Sequence, residues 1–184
     1  MAGAAPVRLR HARPRATEPG VHPVMAEPRR LDLADPGTLR RVWELQRAAY
    51  AVEAELIGFD GIPPLQESLQ ELRGCGESFL GLDDDTGLAA AVSWTRLHDG
   101  TLDICRLMVH PRAHRRGFAT ALLDSLDRLE PAARAVVATG TANRPALALY
   151  QRRGFTPTGT RQIGPATTVT LLERRDTPAT PAEG

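Results

Sequence analysis

The sequence contains no lysine, because all 23 of its basic residues are arginine. This excludes any mechanism that needs a catalytic lysine of the chain itself. It also excludes the G-x-x-x-x-G-K-[ST] loop that cradles nucleoside triphosphates, and no G-x-G-x-x-G dinucleotide motif is present. The absence of lysine, together with abundant alanine, glycine and proline, is typical of a GC-rich genome and says little about function.

Cysteine, long apolar runs and excess charge are also scarce. Cys75 and Cys105 lie far apart and match no metal-ligand spacing. No stretch approaches 18 consecutive apolar residues, and the N-terminus has no apolar signal segment. We therefore expect a reduced, cytoplasmic protein with no metal and no membrane partner. The net charge of +1 disfavours nucleic-acid binding, which usually accompanies a strong basic excess.

Residues 1–24 differ in composition from the rest of the chain. They are rich in arginine and proline and have almost no large apolar side chains, so we expect a disordered tail. Three alternatives stay open: an Arg-rich transit peptide, an extension upstream of a true start at Met25, and a nucleic-acid-binding arm. The composition places one domain at residues 25–175 and a second disordered tail at residues 176–184.

Hydrophobic periodicity predicts alternating strands and helices along residues 25–175. Asp35 before Pro36 is a helix start, and Leu39, Val42, Leu45 and Leu56 follow at helical spacing. Asp99-Gly100 is a hairpin signal. We expect strands at 29–33, 77–84, 87–97, 101–109, 133–140, 156–164 and 168–175, and helices at 36–56, 64–74, 117–130 and 144–154.

The stretch "ICRLMVHPRAHRRGFATALL", residues 104–123, joins a strand ending at Val109 to a helix opening at Gly117. The first N–H groups of a helix lack internal partners, and with the helix dipole they attract anions. Gly117 and Ala119 would keep that surface bare for a phosphate or pyrophosphate. Donors surround it at Arg112, His114, Arg115 and Arg116. An ordinary strand–turn–helix junction with solvated arginines fits the same residues.

Two motifs resemble the GCN5-related N-acetyltransferase (GNAT) superfamily. The run "RLMVHPRAHRRGFATALL" resembles that family's coenzyme-A-binding segment, L-x-V-x-P followed by Q/R-x-x-G-x-G/A. The matching residues are Leu107, Val109, Pro111, Gly117 and Ala119. His114 departs from the pattern, since the family usually has Gln or Arg there. Residues 143–155, "NRPALALYQRRGF", match the second signature, N-x-x-A-x-x-L-Y-x-x-x-G-F, throughout.

The resemblance implies a fold and an activity. The fold is α/β (α+β in some schemes): a mixed, mostly antiparallel sheet of six to seven strands, flanked by about four helices, with a splayed central parallel pair. The activity is transfer of an acetyl group from acetyl-CoA, as co-substrate, to a primary amine by direct attack on the thioester. The amine would be a small molecule or a peptide, and a homodimer is compatible. The alternative is a catalytically silent coenzyme-A-binding regulator of the same fold.

The resemblance also implies how the cofactor is held. The pantetheine arm would lie between the strand ending at Val109 and the strand at 133–140, pairing with backbone of Leu107 and Val109. The Leu107 N–H would polarise the acetyl carbonyl, as in an oxyanion hole. The implied cofactor contacts are Leu107, Met108, Val109, Arg112, His114, Arg115, Arg116, Gly117, Phe118, Ala119, Thr120 and Asn143.

Two catalytic residues are candidates. Tyr150 matches the family tyrosine that protonates the departing thiolate, although its ring would also pack well in a core. Asp103 stands where some family members carry a catalytic glutamate, and it could act as the general base through a water molecule. Strand alternation would put it on the same face as Cys105 and Leu107. A plain carboxylate at a hairpin end is the alternative.

The remaining candidates concern the acceptor and the second signature. Tyr50 and Glu53 share a helix face and could bind a cationic amine. Solvated surface charges at Glu53 and Glu55 are the competing interpretation, and Asp60 lies in the same segment. Asn143 is also a natural N-cap for the last helix.

Overall fold

The computed structural model describes residues 27–59, 61–164 and 166–176. The elements are β1 (Arg29–Arg30), α1 (Pro36–Ile57), α2 (Pro63–Gln66), α3 (Leu69–Arg73), β2 (Ser78–Asp84), β3 (Gly87–Arg96), β4 (Leu102–Val109), a 3-10 turn (Pro111–Ala113), α4 (Phe118–Leu129), β5 (Arg134–Gly140), α5 (Arg144–Arg152), β6 (Thr156–Gly164) and β7 (Thr167–Arg175). Within these ranges, no helix is both long enough and apolar enough to cross a membrane.

The seven strands form one sheet in the order β1-β2-β3-β4-β5-β7-β6. Every neighbouring pair is antiparallel except β4 and β5. That pair is parallel because α4 carries the chain back along the sheet between the two strands. The expected mixed, mostly antiparallel sheet with one parallel pair is confirmed.

Apolar side chains cover both faces of the sheet. On one face, Val42 and Leu45 of α1 belong to a buried cluster with Met108 of β4. On the other face, Leu122 and Leu126 of α4 belong to a second cluster. Removing such side chains from water stabilises the fold by about 25 cal/mol per Å² of apolar surface.

Helix α1 begins and ends at the residues that the sequence indicates. The Asp35 carboxylate accepts a hydrogen bond from the Thr38 N–H at 2.7 Å, and Pro36 stands in the first turn. Gly58 ends the helix in the left-handed region, with φ of 66°. Leu56 is 49% exposed, so the buried stripe expected to run to this residue stops earlier.

The single helix expected at 64–74 is wrong, because the chain breaks at Glu67. Glu67 is extended, with ψ of 129°, and separates α2 from α3. Ser68 and Glu71 form a capping box that begins α3: Ser68 Oγ accepts from the Glu71 N–H at 3.2 Å, and the Glu71 carboxylate accepts from the Ser68 N–H at 2.8 Å. This start signal outweighs continuous helical spacing.

A β-bulge in β4 changes which side chains share a face. Ser93 of β3 pairs with Arg106, but the next residue, Trp94, pairs with Ile104, which leaves Cys105 as the extra residue. The expectation that Asp103, Cys105 and Leu107 share one face is therefore wrong for Leu107. Leu107 packs with the same cluster as Ile104, because the extra residue reverses the alternation.

Helix α5 is fixed to α4 and to the sheet by ion pairs centred on Asp127 of α4. Its carboxylate accepts from Arg153, just after α5, at 2.7 Å and from Arg174 of β7 at 2.8 Å. Burial alone would raise the pKa of Asp127, but hydrogen bonds from Arg174 and Arg153 lower it overall. These contacts hold α5, and Tyr150 with it, in a defined position.

Candidate active site

A cleft opens where β4 and β5 separate. Their parallel ladder runs from Leu102 and Ala135 to Ile104 and Val137 and has no further pair, although β4 continues to Val109 and β5 to Gly140. The cleft has a volume of about 470 Å³, and α1, the loop before α2, α5 and the β6–β7 hairpin also line it. The splay implied by the resemblance is present.

Tyr150 forms part of the cleft wall at the last turns of α5. Its side chain is buried, and its ring meets Phe155 edge-on with centroids 5.6 Å apart. Burial, and secondly the negative charge of Glu53, raises the pKa of the phenol. The hydroxyl therefore keeps its proton at neutral pH, so Tyr150 is available as an acid. The packing role and the acid role are compatible.

Asn143 lies at the same cleft and caps α5. Its side-chain oxygen accepts from the Ala146 N–H at 3.2 Å. The N-cap expectation is confirmed, and its position in the cleft lining places it where a cofactor contact is expected.

Tyr50 and Glu53 both line the cleft from α1, whereas Glu55 is exposed and absent from the described lining. The Glu53 carboxylate lies 3.4 Å from the Gly140 nitrogen and 3.5 Å from Thr139 Oγ1. A Cβ at Gly140 would lie 2.6 Å from a methyl group of Ile57, so only glycine permits this close approach. Desolvation, and secondly Glu53, raises the pKa of Tyr50. Asp60 lies outside the described residues.

Asp103 lies below the cleft, in the part of β4 that is still paired. It stands opposite Val136 and is absent from the described lining of the cleft. Desolvation, and secondly the charge of Glu77, raises its pKa. Cys105 does line the cleft, and desolvation raises its pKa to about 11, so its thiol is neutral at pH 7.

The junction before α4 exposes backbone. Gly117 has a φ of 85°, and a Cβ there would meet nothing within 4 Å. No described side chain caps α4 at this residue. Arg115 adopts a left-handed φ of 61°, and Thr120 is exposed while Ala119 is partly exposed. The first turn of α4 is therefore open to an anion.

Asp84 at the end of β2, which the sequence analysis did not single out, holds two of the arginines at this junction. Arg112 donates to its carboxylate at 3.2 Å and Arg116 at 3.4 Å. Burial alone would raise the pKa of Asp84, but hydrogen bonds from Thr86 and Arg112 lower it overall. Arg112 and Arg116 are thus oriented beside the start of α4 rather than loosely solvated.

Three expected cofactor contacts have their side chains occupied elsewhere. His114 donates through Nε2 to the Val109 carbonyl at 3.1 Å. The side chains of Met108 and Phe118 are buried in the two cores. Because these side chains are hydrogen-bonded or buried within the protein, these residues could contact a ligand through their backbone atoms.

Arg106 forms a buried network that the sequence analysis missed. Its guanidinium donates to Glu77 at 2.8 Å, to Gln46 of α1 at 2.6 Å, and to Glu67. Gln46 donates to the Pro64 carbonyl at 2.8 Å and to Glu67 at 2.7 Å. The network ties α1 to Glu67 and to Pro64 of α2, and Pro64 borders the cleft. The available signal was an arginine within the mostly apolar run "ICRLMV".

A metal centre is not evident: across the described ranges, no three His, Cys, Asp or Glu side chains are grouped to hold an ion.

Comparison with known proteins gives one family match and one curated relative. The model of the Acetyltransferase (GNAT) family matches residues 39–155. UPF0157 protein YqkA of Bacillus subtilis (strain 168) is 40% identical over 118 residues, covering 63% of this chain and 34% of YqkA. The chain therefore matches only about a third of the length of this relative.

Solved structures share the fold at low identity. The PaiA N-acetyltransferase of Thermoplasma acidophilum, in complex with coenzyme A, is 15% identical with a TM-score of 0.65, covering 82% of this chain and 98% of its own. The yncA protein of Salmonella typhimurium, with its cofactor acetyl-CoA, is 19% identical with a TM-score of 0.62, covering 85% and 97%.

Proposed function

This chain belongs to the acetyltransferase (GNAT) family, and we propose that it transfers the acetyl group of acetyl-CoA to a primary amine by direct attack on the thioester. The observation that carries the proposal is the cleft between β4 and β5, with Tyr150 on its wall. The gap is where an extended thioester arm would lie, and the protonated hydroxyl of Tyr150 beside it supports a role as the acid.

The backbone around the cleft supports the proposed cofactor binding. Beyond Ile104 the edge of β4 faces a gap instead of β5, so backbone groups near Leu107 and Val109 are available to a pantetheine arm. The start of α4 at Gly117, with Arg115 and the Asp84-held arginines, would take the diphosphate. Asn143 would contact the pantetheine from the other side.

The reaction then needs two proton movements. The amine nitrogen forms a bond to the acetyl carbon, and the C–S bond breaks with its electron pair moving to sulfur. Tyr150 donates its proton to the departing thiolate, and the Leu107 N–H stabilises the negative charge that develops on the carbonyl oxygen. A base accepts the surplus proton of the attacking nitrogen.

Asp103 acting through water is our proposed base, with Glu53 as the competing carboxylate. Asp103 has a raised pKa, which improves its match to a base working near neutral pH. Glu53 lines the cleft itself, while Asp103 lies one register step below its opening. Tyr50 and Glu53 would face the incoming ammonium group.

The test is turnover of acetyl-CoA with a panel of amines, scored by release of free coenzyme A thiol. We expect thiol release that depends on the amine and yields the N-acetyl product. The same reaction without any amine measures the background rate of acetyl-CoA hydrolysis. Tight coenzyme A binding without any amine-dependent release would support the silent, coenzyme-A-binding alternative and contradict the enzyme.

A further inference from the structure

The cleft carries one basic side chain that no described residue neutralises. Arg106 and Arg161 are the two arginines of the described lining. Arg106 is held by Glu67 and Glu77. Arg161 of β6 is exposed and has no described ion-pair or hydrogen-bond partner. Among the described residues, the unpaired positive charge of the cleft therefore belongs to Arg161.

The register of the sheet places Arg161 on the side of the cleft that Glu53 occupies. Arg161 pairs with Val169 of β7, and Val169 pairs with Gly140 of β5. Directly opposed residues in antiparallel strands point to the same face, and each strand step is about 4.8 Å, so Arg161 stands about 10 Å from Gly140. Glu53 touches the Gly140 nitrogen from that same face. A carboxylate and a free guanidinium thus flank one cavity.

Apolar side chains line the same cleft as these two charges. Ile57 of α1, Ile62 before α2, Ile163 of β6 and Val169 line the cleft. The β6–β7 hairpin approaches the loop after α1 closely: a Cβ at Gly164 would lie 2.9 Å from the Phe59 ring. Arg161 itself is exposed, but an anion bound beside it in the cleft would lie against these apolar side chains, where water screens a pair of charges less.

From this arrangement we infer that Arg161 binds the carboxylate of the acceptor, which is an amino acid with an apolar side chain. Its ammonium group lies toward Glu53 and the thioester, and its carboxylate accepts two hydrogen bonds from the planar guanidinium. The apolar side chain contacts the isoleucines. This assignment rests on the proposed acetyl transfer and names its substrate class.

The test uses matched amines. Leucine, methionine and phenylalanine are each compared with the corresponding amide and with the amine that lacks the carboxyl group. We expect kcat/KM to be highest for the free amino acids. Arg161→Gln should lower kcat/KM for the amino acids by about 10- to 100-fold, the range for a hydrogen bond to a charged group. The same substitution should leave kcat/KM for the amides, and the KM for acetyl-CoA, unchanged.

Two further variants separate a loss of carboxylate binding from a general loss of activity. Arg161→Lys keeps the charge but loses the bidentate geometry of the guanidinium. Its kcat/KM for the amino acids should therefore lie between those of the wild type and Arg161→Gln. Arg152→Gln removes an exposed arginine at the end of α5, outside the described cleft lining, and should change nothing.

Binding provides a readout that does not need turnover. Calorimetry of each amino acid and its amide with the coenzyme A complex should show weaker amino-acid binding in Arg161→Gln and equal amide binding. Equal binding of acid and amide to the wild type, or an equal loss of both in Arg161→Gln, would overturn the inference. Selective amino-acid binding with no thiol release from any amine would support the role of Arg161 and contradict the proposed transfer.

Discussion

Ile104 of β4 and Val137 of β5 form the last rung of the parallel ladder. The cleft begins directly beyond this rung, and it joins the two faces of the sheet. Glu53 reaches it from α1 on one side and Tyr150 from α5 on the other. The charge of Glu53 contributes to the raised pKa of Tyr150, so the two groups are coupled across the opening.

Gly117→Glu should weaken coenzyme A binding at least tenfold, or about 1.4 kcal/mol. The new side chain and its negative charge would stand where the diphosphate is expected, at a position now open. Isothermal calorimetry measures the effect.

Gly117→Ala tests the backbone strain alone, since φ is 85° there. Gly100→Glu places the same charge at another open, positive-φ glycine, in the β3–β4 hairpin, and should bind normally. Unchanged affinity in folded Gly117→Glu would exclude the anion site.

Tyr150→Phe should lower kcat by roughly 10² to 10⁴ with little change in acetyl-CoA affinity. Phenylalanine keeps the edge-on contact with Phe155 and loses only the hydroxyl group that supplies the proton. The loss should shrink with an acyl donor whose leaving group is a weaker base. Normal turnover by Tyr150→Phe would show that Tyr150 serves only in packing.

The pH dependence of kcat gives a separate test of Tyr150. An acid works only while protonated, so its activity is lost as pH rises through its pKa. Because burial and Glu53 raise this pKa, kcat should show no alkaline loss from Tyr150 below about pH 10, the ordinary phenol value. A descending limb below that pH that disappears in Tyr150→Phe would contradict the raised pKa.

Asp103→Asn should lower kcat/KM at neutral pH and recover partly at high pH, where the amine loses its proton unaided. A base works only when deprotonated, so wild-type activity should fall as pH drops through the raised pKa of Asp103. The measurement is a pH–rate profile of both proteins beside Glu53→Gln. A profile unchanged by Asp103→Asn but flattened by Glu53→Gln would assign the base to Glu53.

Arg106→Met should destabilise the protein by about 3 kcal/mol, because it leaves two largely buried carboxylates without their cation. Arg29→Met is the matched control: it breaks an exposed pair with Asp83, for which about 0 to 1 kcal/mol is expected. Urea titration of both variants gives the free energies of unfolding. Equal values would show that the Arg106 network contributes no more than a surface pair.

Deleting residues 1–24 should leave the melting temperature and acetyl-CoA affinity unchanged. These residues lack core-forming side chains, and the family match begins only at residue 39. Thermal unfolding and calorimetry on the shortened chain are sufficient. A marked fall in melting temperature, or an insoluble product, would assign a structural role to this segment.

Local signals in the sequence were sufficient for most of the fold. Asp35, Pro36 and Gly58 determine the limits of α1 because capping and left-handed geometry depend on neighbouring residues alone. The two motifs located Gly117 at the start of α4, and Asn143 and Tyr150 in the cleft, for the same reason: each motif is a contiguous strand–turn–helix or helix segment.

The tertiary structure decided what depends on distant partners. The bulge at Cys105, which moves Leu107 to the face opposite Asp103, arises from the register between β3 and β4, and no short-range pattern encodes it. Arg106 meets Glu67 and Glu77 only after β4, β2 and the segment after α2 have packed together. Arg161 and Glu53 are far apart in the chain and face one cavity because β7 aligns β6 with β5. Local sequence signals therefore determined the limits of α1 and the positions of the two motifs, but not the length of β1, expected at 29–33 and found at Arg29–Arg30, or the break between α2 and α3. Long-range strand pairing decided which charges meet at the cleft.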